Sequence, residues 1–248
     1  MNTINLTPVP VRAMAVGAHP DDVEFGCGGT LAKWAAQGCE ITHVVCTDGS
    51  KGSWDPTADV AKLIDTRQAE QRAASRALGG AGDVVFLGGE DGRLDPGLAM
   101  QDQLALWIRR IRPEVILGHD PWKRYRLHPD HRAAGFLLTD ALVAARDPHF
   151  FPEHFVADPH LEPHRPSTLL LWEADEPDHA EDISSSFDAK FAALLCHQSQ
   201  LLSTMDIGDA ANREQIEAFA ARTRERAAEH GAAAALPLAE SFKRMDRL

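Results

Sequence analysis

The sequence predicts an α/β fold, with a mostly parallel sheet, helices on both faces and additions at the C-terminal end. Three observations predict it. Short apolar runs alternate with longer segments of helical spacing between residues 12 and 146, and glycines mark several of the boundaries. Strands that alternate with helices in this way pair in parallel through right-handed crossovers. The chain of 248 residues is also short enough for one core, because single cores stop growing at about 250–300 residues.

The first unit of the pattern is strand, helix, strand. Residues 12–17 are predicted to form a buried strand, because Met14, Ala15 and Val16 make a continuous apolar run that ends in glycine. The glycine-rich stretch 26–30 is predicted to open a helix that stops at Gly38. Residues 40–47 form the second predicted strand.

The same alternation continues along the chain. A long second helix rich in Ala, Arg, Gln and Glu is followed by a short third strand, a third helix, a fourth strand and a fourth helix. The predicted ranges are, in order, residues 58–78, 83–87, about 97–110, 115–117 and 133–146.

The composition changes after residue 146. Residues 147–167 are rich in Pro, His and acidic residues, and we interpret them as a long irregular excursion that forms a rim or lid of a pocket. Its histidines, at positions 149, 154, 160 and 164, lack regular ligand spacing and are explained more simply as surface residues. Further elements are predicted at residues 168–172 (strand), 182–183 (start of a short strand), 188–197 and 210–230 (helices) and 239–245 (strand or helix).

These patterns predict a single domain over residues 1–248. Its metal-site core covers about residues 10–146, the rim or lid about residues 147–167, and the C-terminal additions about residues 168–248. No internal repeat or low-complexity linker divides it.

Polar clusters follow all four predicted parallel strands. They are His19 to Asp22, Asp48, Asp91, and His119 with Asp120. Ligands of such sheets bind at the carboxyl ends of the strands, near the point where the strand order reverses. The sequence therefore predicts a functional site at this edge.

Two stretches at that edge have the residues of a metal centre, His19-Pro20-Asp21-Asp22 and His128-Pro129-Asp130-His131. A catalytic zinc takes three protein ligands and keeps one position open, and it lowers the pKa of bound water toward about 7. His19, Asp22 and one histidine of the second stretch would complete such a set, and the other histidine could act as an acid. Each stretch alone could be a helix cap, but two of them at strand ends of one sheet are harder to explain by capping.

The neighbouring carboxylates have predicted roles in the same site. Asp21 could act as a general base, and Asp130 could orient a histidine through its ring N–H. Pro129 suits the first position of a helix, which would make His128 its N-cap residue.

Composition limits the partners. The formal net charge of −12 disfavours nucleic acid and anionic membrane surfaces. The basic cluster from Lys123 to Arg126 is either a solvated loop or a site for anions.

Four scattered cysteines are expected to be buried thiols. Because residues 1–6 lack the features of a signal peptide, we expect a cytoplasmic protein with a small-molecule substrate, which could be a homo-oligomer.

The chain resembles the LmbE-like zinc N-deacetylases, which include the GlcNAc-phosphatidylinositol, mycothiol-pathway and bacillithiol-pathway deacetylases. The resemblance is carried by residues 18–24, 26–30 and 128–131, and it extends through residues 47–49, 67–70, 91–94 and 197–200. It implies a Rossmann-like fold, Zn²⁺ (with Fe²⁺ or another divalent metal possible) and hydrolysis of an N-acetyl or other N-acyl group on an amino-sugar conjugate or related amide.

The resemblance also implies roles for single residues. Asp21 matches the general base, and His128 matches the histidine that stabilises the oxyanion and protonates the leaving amine. The positions that match metal ligands are His19, Asp22 and His131, and those that match sugar contacts are Arg67 and Asp91.

One position departs from the pattern of the mycothiol-type members. They have a tyrosine two residues before the first histidine of the second motif, where this chain has Arg126, with Tyr125 displaced by one position. We therefore expect Arg126 and Tyr125 to contact substrate, and an arginine there could bind a carboxylate or phosphate.

The residues leave two alternative functions open. A nucleotide-binding module would share the strand, glycine-rich turn and helix, but residues 26–29 lack the GxGxxG order. A protein that holds a metal and binds a ligand without catalysis would share the metal motifs.

Overall fold

A computed structural model describes residues 7–248 of the chain and contains a seven-stranded sheet. Its strands are β1 (Arg12–Gly17), β2 (Glu40–Thr47), β3 (Val84–Gly89), β4 (Val115–His119), β5 (Thr168–Trp172), β6 (His179–Asp182) and β7 (Ala239–Asp246). The expectation about residues 1–6 lies outside the described residues.

The predicted parallel α/β architecture is confirmed. The strand order is β3-β2-β1-β4-β5-β7-β6, and the first five strands in that order pair in parallel. β7 runs antiparallel to both of its neighbours, β5 and β6. The strand order reverses between β1 and β4, so the loops that carry the two His-Pro-Asp stretches leave the sheet side by side.

Helices cover both faces of the sheet. They are α1 (Asp22–Ala35), α2 (Val60–Ala77), α3 (Leu98–Ile111), α4 (Pro129–Arg146), α5 (Glu153–Ala157), α6 (Phe187–Leu194) and α7 (Arg213–Ala232). One hydrophobic core joins the sheet to α3 and α4, and a second joins its other face to α1, α2 and α6. Among the described helices none is long and apolar enough to cross a membrane.

The first helix begins earlier than its glycines predict. It starts at Asp22, and the glycine-rich stretch lies inside it, with a kink at Cys27. The glycines allow close packing instead of opening the helix. A Cβ atom on Gly26 would lie 2.5 Å from the ring of Trp172, and one on Gly29 would lie 2.8 Å from the side chain of Ile183.

The predicted rim or lid at residues 147–167 is wrong, because this segment packs at the amino ends of the strands. The buried side chain of Arg109 donates hydrogen bonds to carbonyl oxygens of this segment and of the end of α4, and His164 Nε2 lies 2.7 Å from the carbonyl oxygen of Pro113. The predicted surface position of His154 is also wrong, since it is 7% exposed and contacts Arg109.

The C-terminal additions extend the sheet and supply the rim that the excursion does not. The stretch 239–245, predicted as strand or helix, is the strand β7, and the short strand expected to begin at 182 ends there instead. α7 packs against β7 and the neighbouring β6. That the chain forms one domain stays a prediction.

Candidate active site

The two His-Pro-Asp stretches converge on the carboxylate of Asp22. His131 Nε2 lies 3.2 Å from Asp22 Oδ1, and His19 Nδ1 lies 3.3 Å from Asp22 Oδ2. Burial raises the pKa of Asp22, but the His131 and His119 rings outweigh it and hold the pKa well below its usual range. These distances agree with the prediction from the sequence that the two distant stretches come together at one point.

Local structure explains how each stretch presents its side chains. Asp21 precedes α1 with φ 103° and ψ −25°, in the left-handed region, and this turns the chain so that Asp21 and Asp22 face the same opening. Pro129 stands at the start of α4 with His128 as its N-cap residue, as the sequence predicts, which places His131 in the first helical turn.

The donor atoms fit a divalent cation. In a tetrahedral zinc site, N and O ligands at about 2.0–2.2 Å from the ion are about 3.3–3.5 Å from one another. His19 Nδ1 and His131 Nε2 lie at about this spacing from the carboxylate of Asp22, 3.3 Å from Oδ2 and 3.2 Å from Oδ1, so the two contacts use different oxygens. Among residues 7–248, three other groups of three side chains bring ligand atoms within 4.8 Å of one another: His19 with His128 and His131, Asp22 with His119 and His131, and His19 with Asp91 and Asp130.

Neighbouring carboxylates fix which nitrogen of His19 faces the centre. His19 Nε2 lies 3.0 Å from Asp130 Oδ2 and 3.3 Å from Asp91 Oδ1. Carboxylates accept hydrogen bonds, so this nitrogen carries a proton and Nδ1 is left to face a cation. Asp130 is held in turn by the backbone N–H groups of Gly92 and Leu94. Its contacts are those of the orienting role predicted from the sequence.

His119 was not predicted as a site residue, and the structure places it against Asp22. Its Nε2 lies 3.2 Å from Asp22 Oδ2, and its ring stacks on that of His131 at 4.4 Å. The indole N–H of Trp172 donates to His119 Nδ1 at 3.0 Å. Because Trp172 can only donate, the proton of a neutral His119 is on Nε2, where it supports the Asp22 carboxylate and does not leave a lone pair for a metal.

Asp21 lies beside the same centre with an altered acidity. Burial raises the pKa of Asp21 to about 6, and the Arg67 guanidinium, whose Nη2 is 3.5 Å from Asp21 Oδ2, works in the opposite direction. Arg67 also donates to the carbonyl oxygens of Pro20 and Gly49. A carboxylate with a pKa near neutrality suits proton abstraction at physiological pH.

A buried polar network holds the backbone of Asp21. The amide oxygen of Gln71 accepts a hydrogen bond from Asp21 N at 2.9 Å, and the amide nitrogen of Gln71 donates to Glu24 Oε1 at 2.7 Å. Glu24 also lies 3.2 Å from His197 Nε2 and is fully buried. A non-glycine residue in the left-handed region costs about 1–3 kcal/mol, so this network stabilises a strained turn.

We expect that exchanging the side chains of Glu24 and Gln71 restores the kcat that is lost when Gln71 alone is changed. Gln71→Glu would place a second carboxylate against Glu24, and Gln71→Met would leave Asp21 N–H without its acceptor. Each should lower kcat by about 10–100-fold with little change in KM, since a displaced catalytic group loses rate in this range. The double variant Glu24→Gln/Gln71→Glu again pairs an amide donor with a carboxylate and should recover most of the kcat.

The free energy of unfolding of each variant separates positioning from simple folding support. If the double variant recovers stability without recovering kcat, the network supports the fold and does not position Asp21. Gln68→Met, on the same helix and outside this network, is the matched control.

His128 also borders the centre. Its ring lies 4.8 Å from that of His131 and 4.5 Å from that of His19. Burial and the two neighbouring rings lower the pKa of His128, which favours its neutral form.

Arg126 and Tyr125 were predicted to contact substrate, and neither is among the residues that line the cavity. Arg126 Nη1 donates to His131 Nδ1 at 3.0 Å and to Glu173 Oε2 at 2.6 Å; both partners line the cavity, but Arg126 itself does not. Tyr125 is 92% exposed and also lies outside the lining. Arg126 therefore supports His131, while Arg67 and Asp91 line the cavity.

The site forms one end of a cavity of about 600 Å³, within the range of about 300–1,000 Å³ that is usual for small-molecule sites. His19, Asp21, Asp22, His119, His128 and His131 line this end. α7 and the start of β7 line another wall of the same cavity.

Comparison with known proteins identifies the family. The family model described as GlcNAc-PI de-N-acetylase (PIG-L) matches residues 14–142. The chain belongs to the PIG-L family. The LmbE-like resemblance is thereby confirmed.

Several named enzymes are similar to the chain. Diacetylchitobiose deacetylase of Thermococcus kodakarensis is 31% identical over 76% of this chain and 70% of its own length. A 1D-myo-inositol 2-acetamido-2-deoxy-alpha-D-glucopyranoside deacetylase of Actinosynnema mirum is 35% identical over 55% of this chain, and the match spans 56% of that protein. The 4-oxalmesaconate hydratase of Pseudomonas putida is 32% identical over 79% of this chain and 76% of its length.

The fold is shared with a solved deacetylase structure. N,N'-diacetylchitobiose deacetylase from Pyrococcus horikoshii superposes with a TM-score of 0.84 at 26% identity, covering 96% of this chain and 84% of that one.

Proposed function

We propose that the chain is a zinc-dependent hydrolase that removes an N-acetyl or other N-acyl group from an amino-sugar conjugate or related amide. The observation that carries this proposal is the convergence of His19 and His131 on Asp22, with Asp21 beside them. Membership of a family of de-N-acetylases and similarity to two kinds of amino-sugar deacetylase support it.

His19, Asp22 and His131 would hold the metal. Zn²⁺ is the proposed ion, with Fe²⁺ or another divalent metal as alternatives, since two imidazoles and one carboxylate form a frequent catalytic zinc set. A bound cation would polarise the acyl carbonyl and lower the pKa of water at the open position. Coordination through His131 Nε2 would put the proton of the neutral ring on Nδ1, and Arg126, which donates to Nδ1 here, has a second acceptor in Glu173.

The chain's own residues carry the proton transfers. Asp21 takes a proton from the attacking water, and its raised pKa suits this step. His128 stabilises the negative charge that develops on the carbonyl oxygen and delivers a proton to the leaving nitrogen. Burial and the neighbouring rings lower the pKa of His128, so the ring is neutral at the start. It must therefore gain a proton, which the attacking water supplies, before it can protonate the leaving nitrogen. Arg67 and Asp91 contact the sugar, and Asp130 orients His19.

Water addition to a double bond is the second candidate. One finding favours it, the similarity to 4-oxalmesaconate hydratase over more than three quarters of both chains. The same centre could serve either reaction, because both need an activated water and a proton donor. Hydration would release no amine or acetate.

A deacylation screen tests the proposal. Purified protein is incubated with N-acetylglucosaminyl conjugates, and acetate and free amine are measured before chelation, after chelation and after return of Zn²⁺. We expect equimolar acetate and amine, lost with the metal and restored with it. Release that survives complete metal removal would contradict the metal-dependent mechanism, and turnover of 4-oxalmesaconate without any deacylation would favour the second candidate.

We also propose a cytoplasmic location. The four cysteines are free thiols, which a reducing compartment would maintain.

A further inference from the structure

One face of α7 forms a wall of the cavity that holds the candidate centre. The residues on this face are Phe219, Arg222, Thr223, Arg226, Ala227 and His230, and their spacing of three and four positions is that of one helical stripe. The helix thus turns a partly basic face toward whatever the cavity binds.

The basic groups on this face are only partly neutralised. Arg226 Nη2 lies 3.5 Å from Glu173 Oε1, but Glu173 is already paired with Arg126 at 2.6 Å. The described contacts of Arg222 are a hydrogen bond to the carbonyl oxygen of Met205 and the ring of Phe219. Among residues 7–248, no carboxylate forms an ion pair with Arg222.

The other arginine of this part of α7 is arranged differently. Arg224 points away from the cavity, where it pairs with Asp188 at 3.6 Å and lies over the ring of Phe187. The chain as a whole is acidic, with a formal net charge of −12. The cavity lining holds five carboxylates and five Lys or Arg side chains, so the two arginines on one helix face make this wall basic while the cavity as a whole is balanced.

The wall is close to the reacting centre. Glu173 Oε2 lies 3.8 Å from His119 Nδ1, and His119 contacts Asp22. A group bound by Arg226 would therefore lie near the predicted metal position, on the side of β5. Arg222 and Arg226 are one helical turn apart, with about 5–6 Å between their Cβ atoms, so both guanidinium groups can reach one anion.

We propose that the substrate carries a carboxylate or phosphate next to its acylated amino sugar, and that Arg222 and Arg226 bind this anionic group. The inference rests on the proposed function only in taking this cavity as the substrate site. Guanidinium groups bind carboxylate and phosphate through paired, charge-assisted hydrogen bonds. Among the described residues no carboxylate pairs with Arg222, and Arg226 has only a share of Glu173, which Arg126 also contacts.

Three matched conjugates of N-acetylglucosamine test the inference: a neutral methyl glycoside, a glycoside with a carboxylate in the aglycone and one with a phosphate. We expect kcat/KM for at least one anionic conjugate to exceed that of the neutral one by about tenfold. The preference should fall about tenfold in Arg222→Gln and in Arg226→Gln, mainly through KM. It should stay in Arg224→Gln, which removes the same charge from the same helix.

The comparison of the carboxylate conjugate with the phosphate conjugate shows which of the two anions Arg222 and Arg226 prefer to bind. Equal kcat/KM for the neutral and both anionic conjugates would overturn the inference, as would an equal loss of preference in Arg224→Gln. If no conjugate is hydrolysed, the proposed function fails, and calorimetric binding of the same three compounds decides the inference separately. Tighter binding of an anionic conjugate that depends on Arg222 and Arg226 would support it, and equal binding would overturn it.

Discussion

Asp21→Asn is expected to lower kcat by about 10³-fold and to leave the metal content of the protein unchanged. The carboxylate stands beside the predicted ligands without belonging to them, and burial raises its pKa to about 6 against the effect of Arg67. An amide keeps the shape and the hydrogen bond from Asp21 N to Gln71, but it cannot take a proton. Turnover measured as acetate release, together with elemental analysis of the same sample, checks both parts.

The matched control is Asp120→Asn. Asp120 is also buried at the carboxyl edge of the sheet, but it accepts a hydrogen bond from Trp122 N and does not line the cavity. We expect it to keep its kcat to within about threefold, as substitutions outside the reacting groups do. An Asp21→Asn protein that has lost its metal would show instead that Asp21 is a ligand.

The location of the centre could be predicted because the alternation of strands and helices, which is visible in the sequence, indicates that the strands run parallel. Alternating strands and helices imply a parallel sheet, and the carboxyl ends of parallel strands share one edge. His19, Asp22 and His131 follow two such strands, so their meeting depended only on β1 and β4 being neighbours. That adjacency comes from packing of the whole sheet, and the observed order supplies it.

The surroundings of the centre could not be predicted, because they depend on contacts between distant segments. Gln71 and Glu24 come from two helices, and only their folded positions bring the amide of Gln71 between Glu24 and Asp21. His119 was visible as a polar residue after a strand, but its role depends on Trp172, which lies one strand further along the sheet.

Two of the four predicted substrate contacts, Arg126 and Tyr125, lie outside the cavity lining, and this too has a physical cause. Arg126 and Tyr125 occupy a loop, where position in sequence does not set the direction of a side chain. α7 reads as an Ala/Glu/Arg helix typical of a solvated surface, and its composition hides the stripe of residues that lines the cavity. The spacing of Phe219, Thr223 and Ala227 was a signal that could have been used.

Asp22→Asn is expected to remove the metal and, with it, activity. The Asp22 carboxylate is the point at which His19, His119 and His131 meet, and it is the one anionic member of the predicted ligand set. Its loss should lower turnover by about 10³-fold or more, because polarisation of the carbonyl by a cation is worth several kcal/mol. Elemental analysis and acetate release with and without added Zn²⁺ measure both effects.

His119→Gln provides a graded comparison for that prediction, because His119 supports Asp22 without binding the metal. Loss of such a supporting group typically weakens metal affinity by about 10–100-fold, so an excess of Zn²⁺ should restore its activity but not that of Asp22→Asn. Zn²⁺ should also raise the Tm of the wild-type protein, because a ligand that binds only the folded state stabilises it, and should leave the Tm of Asp22→Asn unchanged. A folded Asp22→Asn protein with full metal content would refute the ligand set of His19, Asp22 and His131.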